Sequence, residues 1–188
     1  MDWFRYLSPH LNPASPPVGS IQSRNIEGDV RLYGVGVEVE RKFLVPDAPD
    51  LSGAEADEIE QGYLAIGADG EVRLRRKGDR LVLTAKRGEG LSRQEAEVEL
   101  DGDRFDQLWP LTAGRRLHKR RHVIPHDGLK IEVDVYAGEL EGLVVAEIEF
   151  SSEDEARGFE PPDWLGDDVT GDRRYLNETL ATQGAPDA

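Results

Sequence analysis

The stretch VGVEVERKFLV, residues 35–45, decides the fold. Val35, Val37, Val39, Phe43 and Val45 alternate with Glu38, Glu40 and Lys42. Alternation of period 2 marks a β-strand with unlike faces. One face is apolar and the other is fully charged. Arg41 alone breaks the pattern, a charge on the apolar side. It is expected at the surface, or paired with an acid away from the charged face.

The same alternation recurs along the chain. It predicts eight strands, at 35–45, 58–66, 71–77, 80–86, 93–100, 115–125, 129–136 and 142–150. GADG (67–70) and KGDR (77–80) read as hairpin turns and RGEG (87–90) as a short loop. Asp103 is the expected N-cap of a short helix burying Phe105, Leu108 and Trp109. Ser152 and Glu155 stand at capping-box spacing. A last helix is expected from about Asp172 to Thr182, with Tyr175, Leu176 and Leu180 buried. Mainly consecutive strands predict a mainly β (α+β) fold, an eight-stranded antiparallel barrel with a few flanking helices. Residues 1–34, with Pro13, Pro16 and Pro17, read as an irregular N-terminal extension. A short helix around Trp3–Leu7 fits there, either floppy or docked through Trp3, Phe4 and Tyr6. The domain is taken as 35–182, with a tail at 183–188.

On the face of Glu38, Glu40 and Lys42, other strands place Glu71, Arg73, Arg75 and Lys77, then Lys86, then Arg93, Glu95 and Glu97. Lys119 and Arg121, Glu132 and Asp134, and Glu147 and Glu149 follow. A sheet with one solvated face alternates in the same way. A solvated face, however, mixes Ser, Thr, Asn and Gln among its charges. Here nearly every position is charged, and the signs come in blocks. Turned inward, these faces make a charged tunnel whose apolar side packs outward. Residues i and i+2 on a strand sit roughly 6.5–7 Å apart, so paired carboxylates can share a hard cation. Facing Arg and Lys bind phosphate oxygens. The pattern suits a polyphosphate bridged to carboxylates by Mg²⁺ or Mn²⁺.

The totals narrow the partners. A net charge of −15 over 188 residues disfavours nucleic acid and anionic membranes. The cations cluster, however: thirteen of the 23 Lys and Arg lie in 73–93 and 115–121. With no cysteine, thiol catalysis and zinc–thiolate sites are excluded. The sequence has no apolar run of membrane length and no secretory pattern at its start, so a cytoplasmic location is expected.

The blocks EVERKFLV, QGYL (61–64), VRLRRKG (72–78), LTAK (83–86), LSRQEAEVEL (91–100), GRRLHKRRHVIP (114–125), IEVDVYAG (131–138), VVAEIEF (144–150) and DVTGDRRYLN (168–177) come in order. Together they resemble the triphosphate tunnel metalloenzymes, the CYTH superfamily, and most of all its short stand-alone bacterial inorganic triphosphatases. The resemblance covers 35 to about 182. It implies a tunnel barrel closed at one end by the C-terminal helix, and Mg²⁺- or Mn²⁺-dependent cleavage of a triphosphate. Two metal ions per site are expected during turnover. By resemblance, Glu38, Glu40, Glu147, Glu149 and Asp134 hold metal, with Glu132, Glu95 and Glu97 as weaker candidates. Lys42, Arg73, Arg75, Lys86, Arg93, Arg121 and Arg174 hold phosphate. Lys119 with Tyr63 forms a proton-accepting dyad, or Lys119 binds phosphate and Tyr63 packs. The partner implied is a small polyphosphate, and a homodimer is compatible. His118 and His122 fall on the face opposite Lys119, which makes them outer residues. Rival readings are a thiamine or nucleoside triphosphatase, a class IV adenylyl cyclase, and a non-catalytic polyphosphate-binding module.

Overall fold

A computed structural model describes residues 24–26, 30–68, 70–88 and 92–186. The segment expected as a helix around Trp3–Leu7 lies outside them. The described strands are β1 (Arg24–Ile26), β2 (Val30–Leu44), β3 (Glu55–Gly67), β4 (Gly70–Lys77), β5 (Arg80–Arg87), β6 (Ser92–Glu99), β7 (Arg116–His126), β8 (Leu129–Ala137) and β9 (Val144–Phe150). Three short helices accompany them: α1 (Gly102–Leu108), α2 (Glu153–Gly158) and α3 (Asn177–Gln183). The order across the sheet is β1-β2-β6-β5-β4-β3-β7-β8-β9, all antiparallel, and β2 also pairs with β9. Residues 32–39 of β2 serve β6 and residues 39–44 serve β9. The long strand is therefore the seam that closes an eight-stranded ring from β2 to β9. Among the described residues no helix is long and apolar enough to cross a membrane.

Alternation sorts the side chains as expected. On β7, Leu117, Lys119 and Arg121 are buried while Arg116, His118 and Arg120 are exposed. The main apolar core lies outside the ring. There Val39, Phe43, Ile131, Val133, Ile148 and Phe150 meet Ala156 of α2 and Leu165. Each such side chain stabilises the fold by about 1.5–3 kcal/mol when fully buried. A second cluster plugs one end of the barrel: Leu180 of α3 packs on Leu117, Tyr136, Leu140 and Val145. Gly62 is required for contact, since a Cβ there would stand 2.5 Å from Thr112 Oγ1.

Several boundaries differ from expectation. Part of the stretch read as irregular is a hairpin, with Arg24 opposite Leu32 and Ile26 opposite Val30. The alternation Val30-Arg31-Leu32-Tyr33 carries β2 backwards, across a register shift between Tyr33 and Gly36. The cap of α1 is Asp101, not Asp103. Asp101 has the extended backbone of an N-cap and accepts from Arg104 N at 2.8 Å. Ser152 caps α2 as expected. The last helix is split. Residues Arg173–Tyr175 form a 3₁₀ turn, Leu176 is extended, and α3 starts only at Asn177. Asn177 Oδ1 there accepts from the buried Tyr136 hydroxyl at 2.5 Å, which anchors the restart.

Arg41 is paired with an acid outside the tunnel. Its guanidinium meets Asp168 at 2.6 Å and donates to the carbonyls of Ala156 and Phe159 at 3.1 and 3.0 Å. It also lies over the Phe43 ring at 4.8 Å. It therefore ties β2 to α2 and to the C-terminal segment. Arg41→Ala strands two carbonyls and a carboxylate. It is expected to cost about 2–4 kcal/mol in urea unfolding, with only part recovered in Arg41→Lys. A loss within about 0.5 kcal/mol would show the clamp to be idle.

Candidate active site

The inward residues enclose a cavity of ≈ 260 Å³, lined among the described residues by eight Lys or Arg and nine Glu. One wall is acidic and comes from β2 and β9. Their register sets Glu40 opposite Glu149 and Lys42 opposite Glu147. Directly opposed residues lie roughly 4.5–5.5 Å apart at Cβ, where like charges repel. Burial, then Glu38 and Glu132, push the Glu149 carboxyl above its ordinary range. Glu149 makes no ion pair among the described residues. Glu147 behaves oppositely. Burial raises it, but Lys42 at 2.9 Å, Lys119, and Arg121 at 2.5 Å together hold it well below the carboxylate range. Among the described residues no three acids or histidines already converge on one point. Lysines hold two of the carboxylates instead: Lys86 sits 2.6 Å from Glu38, and Lys42 on Glu147. The donor set still fits a hard divalent cation. Glu38, Glu40, Glu147 and Glu149 place carboxylate oxygens on adjacent strands, with Glu40 directly opposite Glu149.

The facing wall is cationic. Arg73 reaches Glu71 at 3.2 Å and lies 3.9 Å from Glu95, yet its buried Nε has no hydrogen-bond partner among the described residues. Lys86 bridges Glu38 and Glu95, the latter at 2.5 Å. Burial and then Arg73 push Lys86 down to about 8, and Arg75 down to about 10. Arg73 thus depresses both neighbouring cations, an arrangement that suits an anion.

Lys119 and Arg121 stand on β7 between these walls. Lys119 is 2% exposed, and burial lowers it to about 8 although Asp134 opposes this. Its Nζ meets Asp134 Oδ2 at 2.5 Å. Arg121 donates to both Asp134 oxygens at 2.6 Å, and also pairs with Glu132 and Glu147.

The structure thus brings Glu38, Glu40, Glu147, Glu149, Lys42, Arg73, Arg75, Lys86, Lys119 and Arg121 to one lumen. It does not bring Asp134 to the acidic wall. Fully buried, Asp134 gives both oxygens to Lys119 and Arg121. Tyr63 is also fully buried, and its hydroxyl accepts from Gln61 Nε2 at 2.5 Å. Its strand position is four residues, roughly 13 Å, from that of Ile59, which pairs with Lys119. Arg174 is exposed and folds back on Asp172 at 2.7 Å, outside the lumen. Arg93 pairs with Glu38 through the backbone, and its side chain is outside the described set. His118 faces outward onto Glu58 at 2.9 Å. Lining residues given no role from sequence include Gln61, Glu71 and, from the plug, Leu176, Asn177 and Glu178. Gln61 shares its strand face with Tyr63, and that placement was the available signal.

Five similarities bear on this geometry. The CYTH domain matches residues 36–177. An inorganic triphosphatase of Nitrosomonas europaea is 48% identical over 147 residues, 77% of this chain and 96% of that protein. One of Acetivibrio thermocellus is 40% identical, over 78% of this chain and 94% of that protein. A crystal structure of an inorganic triphosphatase superposes with TM-score 0.61 at 43% identity, covering 79% of this chain and 97% of that one. A structure described as a putative adenylate cyclase of Bacillus halodurans, at 17% identity and TM-score 0.51, covers 66% of this chain and 86% of its own and shares the fold.

Glu71, on the barrel wall, faces Glu178 of the plug. Burial pushes Glu71 up to about 7, against Arg73 and with the help of Glu178. Its ordinary value is 4.5, so the fold favours the protonated form. That contribution is whole below pH 4.5 and is lost as pH rises through about 7. Glu71→Gln stays neutral. It should match the wild type near pH 4.5 and exceed it by on the order of 1–3 kcal/mol at pH 8. Urea unfolding at both pH values checks this, and a difference independent of pH would refute the assignment.

Proposed function

The chain belongs to the CYTH family, and we propose that it hydrolyses inorganic triphosphate to pyrophosphate and phosphate inside the barrel, with a divalent metal. The observation that carries this reading is the lumen itself. An acidic wall, in which Glu149 makes no ion pair among the described residues, faces crowded cations across a cavity of ≈ 260 Å³. That volume lies below the roughly 300–1,000 Å³ of sites for drug-sized organic ligands. A naked polyphosphate suits it, and the names of the relatives agree.

Glu38, Glu40, Glu147 and Glu149 would hold Mg²⁺ or Mn²⁺, two ions per site during turnover. A divalent ion held there would supply charge neutralisation and would lower the pKa of a bound water. Lys42, Arg73, Arg75, Lys86 and Arg121 neutralise phosphate oxygens and the leaving group. Lys119 in its neutral form accepts the proton of the attacking water. Its value of about 8 lies in the range that suits a general base. Asp134 fixes its position. As the water oxygen bonds to the terminal phosphorus, the bridging P–O bond breaks. The proton passes to Lys119 Nζ, and pyrophosphate leaves in line.

A second reading has one observation in its favour. A pocket of ≈ 430 Å³ adjoins the lumen, with Ile66, Val169 and Leu176 in its wall, and could seat an organic group on a triphosphate. Phosphate release from tripolyphosphate, ATP and thiamine triphosphate, measured side by side with Mg²⁺ or Mn²⁺, separates the two. Tripolyphosphate should be turned over fastest, and chelation should stop the reaction. Glu38→Gln should lose about 100-fold or more in kcat while still binding anion. Faster turnover of ATP or thiamine triphosphate would overturn the proposal.

A further inference from the structure

Gln61 is 1% exposed and lines the lumen. Its Nε2 is committed to the Tyr63 hydroxyl at 2.5 Å. Its Oε1 has no partner among the described residues and is not sealed from the cavity. Register gives it telling neighbours. Gln61 stands directly opposite Arg75 on β4 and opposite Leu117 on β7. Lys119 is therefore its diagonal neighbour, roughly 7–8 Å away between backbones. An uncharged acceptor thus sits between a phosphate-binding cation and the proton acceptor. Tyr63 stands farther along β3, and its own field comes from burial, Glu71, Arg73 and Glu178.

We propose that Gln61 is a catalytic residue whose carboxamide oxygen accepts a hydrogen bond from the attacking water. Tyr63 is a positioning residue that acts through it. By engaging Nε2, the tyrosine hydroxyl fixes which way the amide faces and turns Oε1 to the lumen. A carboxamide suits this place. It directs one hydrogen of the water and leaves the other to Lys119, without adding a negative charge near the phosphates. The inference rests on the triphosphatase reading above.

The test is a double-mutant cycle on the full chain with tripolyphosphate and divalent metal. Gln61→Met keeps length and volume but removes the acceptor. Tyr63→Phe keeps the ring but releases the amide. Each should lower kcat by about 10- to 100-fold with KM changed less than about threefold. The double variant should be no slower than Gln61→Met alone, because Tyr63 has nothing left to position. Gln61→Ala, with phosphate protection against thermal unfolding as a second readout, guards against a loss due to misfolding. Near-normal kcat in Gln61→Met overturns the proposal. So does a Tyr63→Phe defect that persists undiminished in the Gln61→Met background. A wild type inert towards tripolyphosphate overturns the triphosphatase reading, and this inference with it. An active wild type with unaffected variants overturns the inference alone.

Discussion

Charge neutralisation inside the barrel is the constraint on which this structure depends. An isolated buried ion costs several kcal/mol, and only close opposite charge with hydrogen bonds offsets that. Nine carboxylates and eight cations line one lumen. They tolerate this because the blocks interlock. Lys86 joins Glu38 and Glu95, Arg121 joins Glu132, Asp134 and Glu147, and Arg75 joins Glu97 at 2.6 Å. The exceptions identify the site. Among the described residues Glu149 is without an ion pair and Arg73 Nε without a hydrogen-bond partner. A lumen balanced overall but unbalanced locally is suited to a ligand that is itself a cation–anion pair.

Because the interior is charged, hydrophobic stabilisation has moved outside. Val39 of β2 and Val133 of β8 pack with Ala156 of α2 and with Phe159, Trp164 and Leu165 rather than across a barrel core. These peripheral pieces are short and have little intrinsic stability as helices. They depend on contacts such as the Arg41 clamp, which holds a strand, a helix end and the C-terminal segment at one point. The plug follows the same logic. Leu180 meets an apolar ring at the closed end, while Glu178 turns to the charged lumen.

Alternation made the strands and their inward faces legible, because period 2 fixes which side a residue takes. It does not fix depth. Glu132 and Asp134 share a face and differ by one step on β8, yet Asp134 is sealed under Lys119 and Arg121 while Glu132 reaches the cavity. Sequence therefore grouped Asp134 with the metal ligands, and the structure places it beneath two cations. The same limit applies at the C-terminus. One helix from 172 to 182 is the expectation that goes with an inward Arg174; instead an extended Leu176 separates a 3₁₀ turn from α3, and Arg174 lies outside on Asp172. Gln61 was passed over because it carries no charge. The hairpin of β1 was missed because its alternation is only four residues long.

On the proposed function, the resting ion pairs have a further consequence. Lys86 on Glu38 and Lys42 on Glu147 each couple a group proposed to bind phosphate to one proposed to bind metal. When a polyphosphate and its divalent cation enter together, each internal pair splits. The carboxylate would then be available to the cation and the lysine to a phosphate oxygen. Two new opposite-charge contacts replace one, so binding does not require stripping water from charges that were fully solvated. Much of the desolvation cost was met when the barrel folded around its own pairs. A metal alone, or a polyphosphate alone, would have to break those pairs and leave one partner buried and unpaired. The pairing therefore favours joint binding of anion and cation, and it does so without any moving part beyond four side chains.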